Sequence, residues 1–171
     1  RVILPQDSDQ EDPLAELEGL ARTAGTQVVS GVVQRRNKPN LATFLGKGKL
    51  EELQLLAESH DADEVIFDND LSPAQIRNLE QALKLKVLDR TELILDIFAS
   101  HARTRESRLA VELAQLEYSL PRLKHLWTHR SRMKMGVGMR GPGEKQLETD
   151  RRLVEKRIVD LRRELKLIEG R

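Results

Sequence analysis

Hydrophobic positions follow two different rhythms along this chain. In the first half, short β-branched runs at residues 2–4, 27–33, 64–67 and 86–88 alternate with amphipathic stretches near 13–24, 48–60, 73–84 and 91–101. The short runs read as strands and the longer periodic stretches as helices. That alternation implies right-handed crossovers and a small parallel sheet flanked by helices. Two helix starts carry explicit signals. Ser72-Pro73-Ala74-Gln75 has the spacing of a capping box with Pro at the first helical position, and Asp12-Pro13 pairs an N-cap residue with Pro.

The second half changes period. Leu109, Leu113, Leu116, Leu120 and Leu123 step by 4, 3, 4 and 3, and Leu147, Val154, Ile158, Leu161, Leu165 and Ile168 step by 7, 4, 3, 4 and 3. These are two heptad seams with charged residues between. A first helix over 103–126 is expected, kinked at Pro121, which lacks the N–H a helix needs. The predicted fold class is α/β. A subdomain with a small parallel sheet (1–100) precedes a long two-helix antiparallel coiled-coil arm (101–171), whose Gly-rich basic tip loop occupies 130–144.

Charge sharpens this division. Residues 1–99 hold 11 Lys and Arg against 18 Asp and Glu, and residues 100–171 hold 18 against 10, so a net charge of +1 conceals an acidic half and a basic half. The basic half is the one suited to a polyanion. The 171 residues include no cysteine, which excludes disulfides and zinc–thiolate sites and fits a reducing cytoplasm. No apolar run is long enough for a membrane span. The chain opens on Arg1 and is expected to be a fragment or a processed form. Its last residues, Ile168-Glu169-Gly170-Arg171, resemble a specific-protease site, which leaves the native end open.

The glycines of the predicted tip invite a nucleotide reading. Gly136, Gly138 and Gly141 spell G-x-G-x-x-G. A dinucleotide fingerprint needs a strand before it and a helix leading to a second strand after it. Here a basic stretch, Arg130 to Met135, precedes it and no later strand follows. Gly138 to Gly143 fits the spacing of a P-loop, but Glu144 stands in the lysine position, where it would repel phosphate. The neighbouring charges point elsewhere. Between Arg122 and Arg140 lie six cations and no acid: Arg122, Lys124, Arg130, Arg132, Lys134 and Arg140. Cations neutralise phosphates, and glycines let backbone approach closely. A basic Gly-rich tip suits contact with nucleic acid.

Other groupings carry less. His125 and His129 have a helical metal spacing, but Leu126 replaces the glutamate of an H-E-x-x-H site and no third ligand is near. They read as RNA contacts or plain surface, and Trp127 as a packing anchor. Asp68-Asn69-Asp70 follows a predicted strand, where a magnesium ion could sit, but such residues more often make turns. Gly46-Lys47-Gly48-Lys49 precedes a helix, where an anion could bind or a turn simply needs glycine.

The stretch Gly136-Val-Gly-Met-Arg-Gly-Pro-Gly-Glu144, followed by Gln146-Leu-Glu-Thr-Asp-Arg-Arg152, closely resembles the signature of the HflX family. Further matches run in order through Phe44-Leu-Gly-Lys-Gly-Lys-Leu50, Leu71 to Leu79, Asp89 to Phe98, Val111 to Tyr118 and Leu126-Trp-Thr-His129, covering about residues 2–165. Lys145, Met135 and Arg130 depart from the family, which commonly has Thr, Gly and Leu there. The resemblance implies the N-terminal region of a translation-factor-type GTPase that binds the large ribosomal subunit. It implies that the tip reaches rRNA near the peptidyl-transferase centre, opposing tRNA and helping to split or rescue stalled ribosomes. Carried over, Arg130, Arg132, Lys134 and Arg140, with Arg122 and Lys124, contact RNA. Gly136, Gly138, Gly141 and Gly143 permit the loop's shape, and Pro142 stiffens it. The sequence has no G-x-x-x-x-G-K-[ST] and no N-K-x-D. GTP, magnesium and hydrolysis are therefore expected of a GTPase domain beyond Arg171, and no cofactor or catalytic residue of this chain. Expected partners are the large subunit and that domain, with a monomeric, cytoplasmic chain whose free tip is unordered. Two rival readings are a nucleotide-binding domain using the Gly46–Lys49 turn and a coiled-coil arm for protein interaction.

Overall fold

The computed structural model describes residues 1–5, 7, 12–122 and 142–170, with backbone only over 142–149. The chain divides into two compact units, Arg1–Ile97 and Phe98–Arg171. Unit 1 runs β1 (Val2–Ile3), α1 (Ala15–Thr23), β2 (Gln34–Arg35), α2 (Lys47–Ser59), β3 (Glu64–Ile66), α3 (Pro73–Leu83), β4 (Lys86–Leu88) and most of α4 (Arg90–His101). Unit 2 holds α5 (Arg105–Ser119), a 3-10 turn (Leu120–Arg122) and α6 (Pro142–Glu169).

Strand pairing is parallel, but it forms two pairs rather than one sheet. β1 lies beside β2 with Val2 opposite Gln34, and β3 beside β4 with Val65 opposite Val87. The long run at 27–33, expected to be a strand, is irregular. The ladder with β1 begins at Gln34, after residues 27–33. Their contacts go to other elements: the α-amino group of Arg1 donates to Val32 O at 2.8 Å, and a Cβ on Gly31 would strike Leu14 Cδ1. β-branched composition alone does not make a strand.

Helix starts follow local chemistry where side chains reach the backbone. The Ser72 hydroxyl accepts from Gln75 N at 3.2 Å, and the Gln75 carboxamide accepts from Ser72 N at 3.0 Å, completing the expected capping box. Asp12-Pro13 behaves differently. The Asp12 carboxylate accepts from Leu14 N at 3.1 Å in a preceding turn, and α1 begins at Ala15 with no side-chain cap. Thr104 caps α5 reciprocally with Ser107. The α-helix expected over 103–126 ends at Ser119 and tightens into the 3-10 turn around Pro121. Proline there removes one helical hydrogen bond and crowds the preceding turn. Residues 123–126 lie outside the described residues.

The core of unit 1 gathers Val2, Phe44, Leu45, Phe67, Leu71, Ile76, Leu79, Leu83 and Val87. It binds α3 to both strand pairs and so fixes the strand ends on which the polar cluster below is built. In unit 2 the seams meet at buried Leu109, Ile158 and Leu161, and α5 and α6 pack against one another. Leu79 is fully buried, with 0% exposure. Leu79→Ala is expected to cost about 2–5 kcal/mol through lost burial and a residual cavity, read as a lower urea midpoint with an unchanged slope.

Candidate nucleic-acid interface and the polar cluster of unit 1

Two places could carry function, one on each unit. The first is the basic tip. Lys124, Arg130, Arg132, Lys134, Gly136, Gly138, Arg140 and Gly141 lie outside the described residues, as do His125, Trp127 and His129. Pro142 and Gly143 are described and open α6, so the expected loop boundary at 144 moves back to 141. Proline suits a first helical turn because its missing N–H has no partner there anyway. Arg122 closes α5. Its guanidinium lies 3.7 Å from the centre of the Tyr118 ring, and Nη1 donates to Tyr118 O at 2.9 Å. It satisfies a carbonyl at the helix end and stacks on an aromatic face.

Below the tip, charged residues flank the α5–α6 seam. The Arg157 guanidinium donates to both carboxylate oxygens of Glu112, at 2.8 and 2.9 Å. Arg162 reaches Glu117 at 2.6 Å, and Arg105 reaches Glu164 at 3.4 Å. The hydrogen bonds from Arg157 hold the Glu112 carboxyl below its ordinary value, and the same bonds raise the Arg157 guanidinium. Fork-shaped pairing of this kind fixes geometry better than a single contact.

The second place is the C-terminal edge of the β3–β4 pair. Asp68, Asn69 and Asp70 follow β3, and Asp89, Arg90 and Thr91 follow β4. Arg90 donates to Asp68 at 2.8 Å and to Glu16 of α1, and Arg1 Nε lies 3.2 Å from Asp68. Thr91 Oγ1 donates to Asp70 at 2.7 Å. Asp89 is fully buried; its carboxylate accepts from Leu71 N at 3.2 Å and from Glu92 N at 3.0 Å, capping α4. Asn69 bridges the two strand pairs: its Oδ1 accepts from Val2 N at 2.9 Å, and its Nδ2 donates to Val2 O at 3.1 Å. Each carboxylate is therefore engaged by protein. No set of three or more metal-ligating side chains forms among the described residues. The edge acts as a structural stitch between β1, β3, β4 and α4. Glu16 titrates low, first because Arg90 donates to it and then from the charge of Arg90.

The Gly46 turn is also structural. Gly46 N donates to Gln34 Oε1 at 2.9 Å, and a Cβ there would meet Arg36 Nη1, so glycine lets the side chains of Gln34 and Arg36 cover the start of α2. Lys49 pairs with Glu52 at 2.7 Å. A cavity of about 660 Å³ lies between α1, residues 25–32 and β3. Its lining holds four carboxylates, Glu18, Asp61, Asp63 and Glu64, against Arg1 alone, a poor setting for nucleotide phosphates.

Comparison with known proteins decides the family. A model described as GTP-binding GTPase N-terminal matches residues 11–99, and one described as GTP-binding GTPase Middle Region matches residues 101–171. The chain is 47% identical over 98% of its length to GTPase HflX of Flavobacterium psychrophilum, and 48% identical over 98% to GTPase HflX of Escherichia coli. The chain belongs to the HflX family. It spans 41% and 39% of the length of those two relatives, and it matches their N-terminal and middle regions. A crystal structure of a GTP-binding protein from the archaeon Sulfolobus solfataricus, in complex with GDP, superposes on 90% of this chain and 42% of that one. The TM-score is 0.61 and the identity 25%. HflX relatives are named as GTPases, and among its described residues this chain is mixed α/β with two small parallel strand pairs and six helices.

Sequence reasoning missed Arg90, Glu16 and the bridging role of Asn69. Asn69 stood in a stretch read as a turn, and no local pattern reveals a partner 67 residues away. Asn69→Ala is expected to leave both polar groups of buried Val2 unsatisfied and to cost about 1–3 kcal/mol, measurable by urea unfolding. In unit 2, lowering pH below the ordinary carboxylate value of 4.5 and through the depressed value of Glu112 removes its attraction to Arg157. Stability from this pair is present above that window and lost below it. Glu112→Gln should flatten that part of a pH series of thermal melts, and high salt should shrink the difference.

Proposed function

We propose that this chain is the ribosome-binding part of an HflX-type GTPase, and that it engages rRNA of the large subunit through the tip between α5 and α6. The observation that carries this reading is the acid-free run from Arg122 to Arg140, with six cations, set between two helices that pack together. The helices act as an antiparallel arm. Two ion pairs support that direction: Arg105 pairs with Glu164, and Glu112, seven residues later, pairs with Arg157, seven residues earlier. Glu117 and Arg162 reach across the seam on the opposite diagonal.

In this reading Arg130, Arg132, Lys134 and Arg140 neutralise phosphates or meet base edges, while the glycines allow close approach. Lys124 adds charge at the neck, and Arg122 braces the end of α5. Occupancy near the peptidyl-transferase centre opposes tRNA there and contributes to splitting or rescue of stalled ribosomes. Nucleotide binding and hydrolysis belong to the part of the relatives outside the match. The protein works in the cytoplasm as a monomer, and no described helix is long and apolar enough to cross a membrane.

Co-sedimentation with purified large subunits across a salt series tests the reading, beside a variant with Arg130, Arg132, Lys134 and Arg140 changed to Ala. The parent is expected to bind with a salt dependence that grows with the number of phosphates met, and the variant to lose most of that binding. Equal binding by parent and variant would remove the tip from the interface.

A further inference from the structure

The hydrogen bonds between β1 and β2 run past the strand residues themselves. Gln34 N donates to Arg1 O and Arg36 N to Ile3 O, each at 3.0 Å, and the α-amino group of Arg1 donates to Val32 O at 2.8 Å. Arg1 and Ile3 thus turn backbone groups toward residues 32–36, while Val2 turns its own toward Asn69. In a parallel ladder this alternation repeats every two residues. Two residues before Arg1 it reaches Val32 N and Ser30 O, and four residues before Arg1 it reaches Ser30 N and Val28 O. Among the described residues, neither Ser30 N nor Val32 N donates to any group.

β3 forms the other wall of the same space. Phe67 N donates to Leu88 O, so Phe67 faces β4, and alternation turns the backbone groups of Glu64 and Ile66 to the opposite edge. Residues 28–32 and 64–67 both line the cavity of about 660 Å³. The two walls agree in register. Val2 stands opposite Gln34 and bonds to Asn69, and five residues earlier lie Val29 on one wall and Glu64 on the other. A strand of five residues spans about 16 Å at 3.3 Å per residue. Burial lowers the Arg1 α-amino group from 8.0 to about 6. A peptide N–H at that point makes the same bond to Val32 O with no charge to desolvate.

We infer that this cavity is a strand acceptor, filled by the segment that continues β1 backward from Arg1 in the full-length protein. Four extended residues bond in parallel to residues 28–32 on one side and to β3 on the other. They join the two strand pairs into one sheet in the order β2-β1-β3-β4. The occupant is apolar, because α1 and α2 supply Leu17, Leu53 and Leu56 to the lining and a covered parallel strand reads as a hydrophobic run. Its second and fourth residues before Arg1 are not proline, which has no N–H to give Ser30 O or Val28 O. A separate peptide would have to end against the Arg1 amino group to make the same bonds, so covalent continuity selects the occupant. Residues 27–33 then have the composition of a strand because a longer β1 makes them one.

Amide hydrogen exchange tests this on three proteins: the 171-residue chain, the chain extended by the four residues that precede Arg1 in the full-length protein, and the extended chain with proline placed second before Arg1. Exchange at the Ser30 and Val32 amides is expected to slow by about tenfold or more in the extended chain, because they pass from open to ladder-bonded positions. The urea midpoint rises with it, and the proline variant returns both to the values of the 171-residue chain. Unchanged exchange at Ser30 and Val32 in the extended chain overturns the inference, as does protection that survives the proline. Equal protection already present in the 171-residue chain also overturns it, because residues 27–33 would then close the cavity unaided. Protection by the four residues added as a free peptide, but not when they are tethered, assigns the cavity to a partner and overturns the continuation of β1.

Discussion

The two hydrogen bonds between the Asn69 carboxamide and the backbone of Val2 join the halves of unit 1 that strand ladders leave apart. β1 and β2 contribute two residues each, β3 and β4 three each, and the two pairs share no ladder. Isolated pairs so short are marginal in water. A carboxamide presents one acceptor and one donor in nearly the geometry of a peptide group, so Asn69 serves as a one-residue strand. The surrounding side chains extend the same solution. Asp68 holds Arg1 and Arg90, Asp70 holds Thr91, and buried Asp89 ties Leu71 to the start of α4. Buried polar groups are tolerable only when paired, and this cluster pairs them while connecting elements distant in sequence.

That arrangement also explains which features were legible beforehand. The capping box at Ser72 was readable because donor, acceptor and backbone lie within four residues. The seams were readable because period alone places Leu109, Ile158 and Leu161 on inward faces, and these are buried. Residues 27–33 have the β-branched composition of a strand but are irregular, because composition records suitability for a strand and does not by itself supply a pairing. Asp12-Pro13 has the right residue types, but the Asp12 carboxylate bonds to Leu14 N in a turn, so the helix begins later. Asn69 and Arg90 were invisible for a similar reason: their partners are separated by 67 and 74 residues. At the candidate interface, Arg122, Pro142 and Gly143 are placed by the structure, and the remaining tip residues lie outside the described residues. The acid-free run there is a property of sequence and stands on that alone.

Charge follows a consistent division between the units. In unit 1, Asp68, Asp70 and buried Asp89 are engaged internally, while Asp61, Asp63 and Glu64 line the cavity beside β3. In unit 2 the carboxylates of α5 and α6 neutralise the cations nearest the seam.

The same reasoning separates rigid from adaptable contacts. A tip that holds Gly136, Gly138 and Gly141 loses much conformational freedom when it is ordered against a partner, and that loss opposes binding. The α5–α6 packing opposes that cost, because buried Leu109, Ile158 and Leu161 join the two helices that flank the run from Arg122 to Arg140.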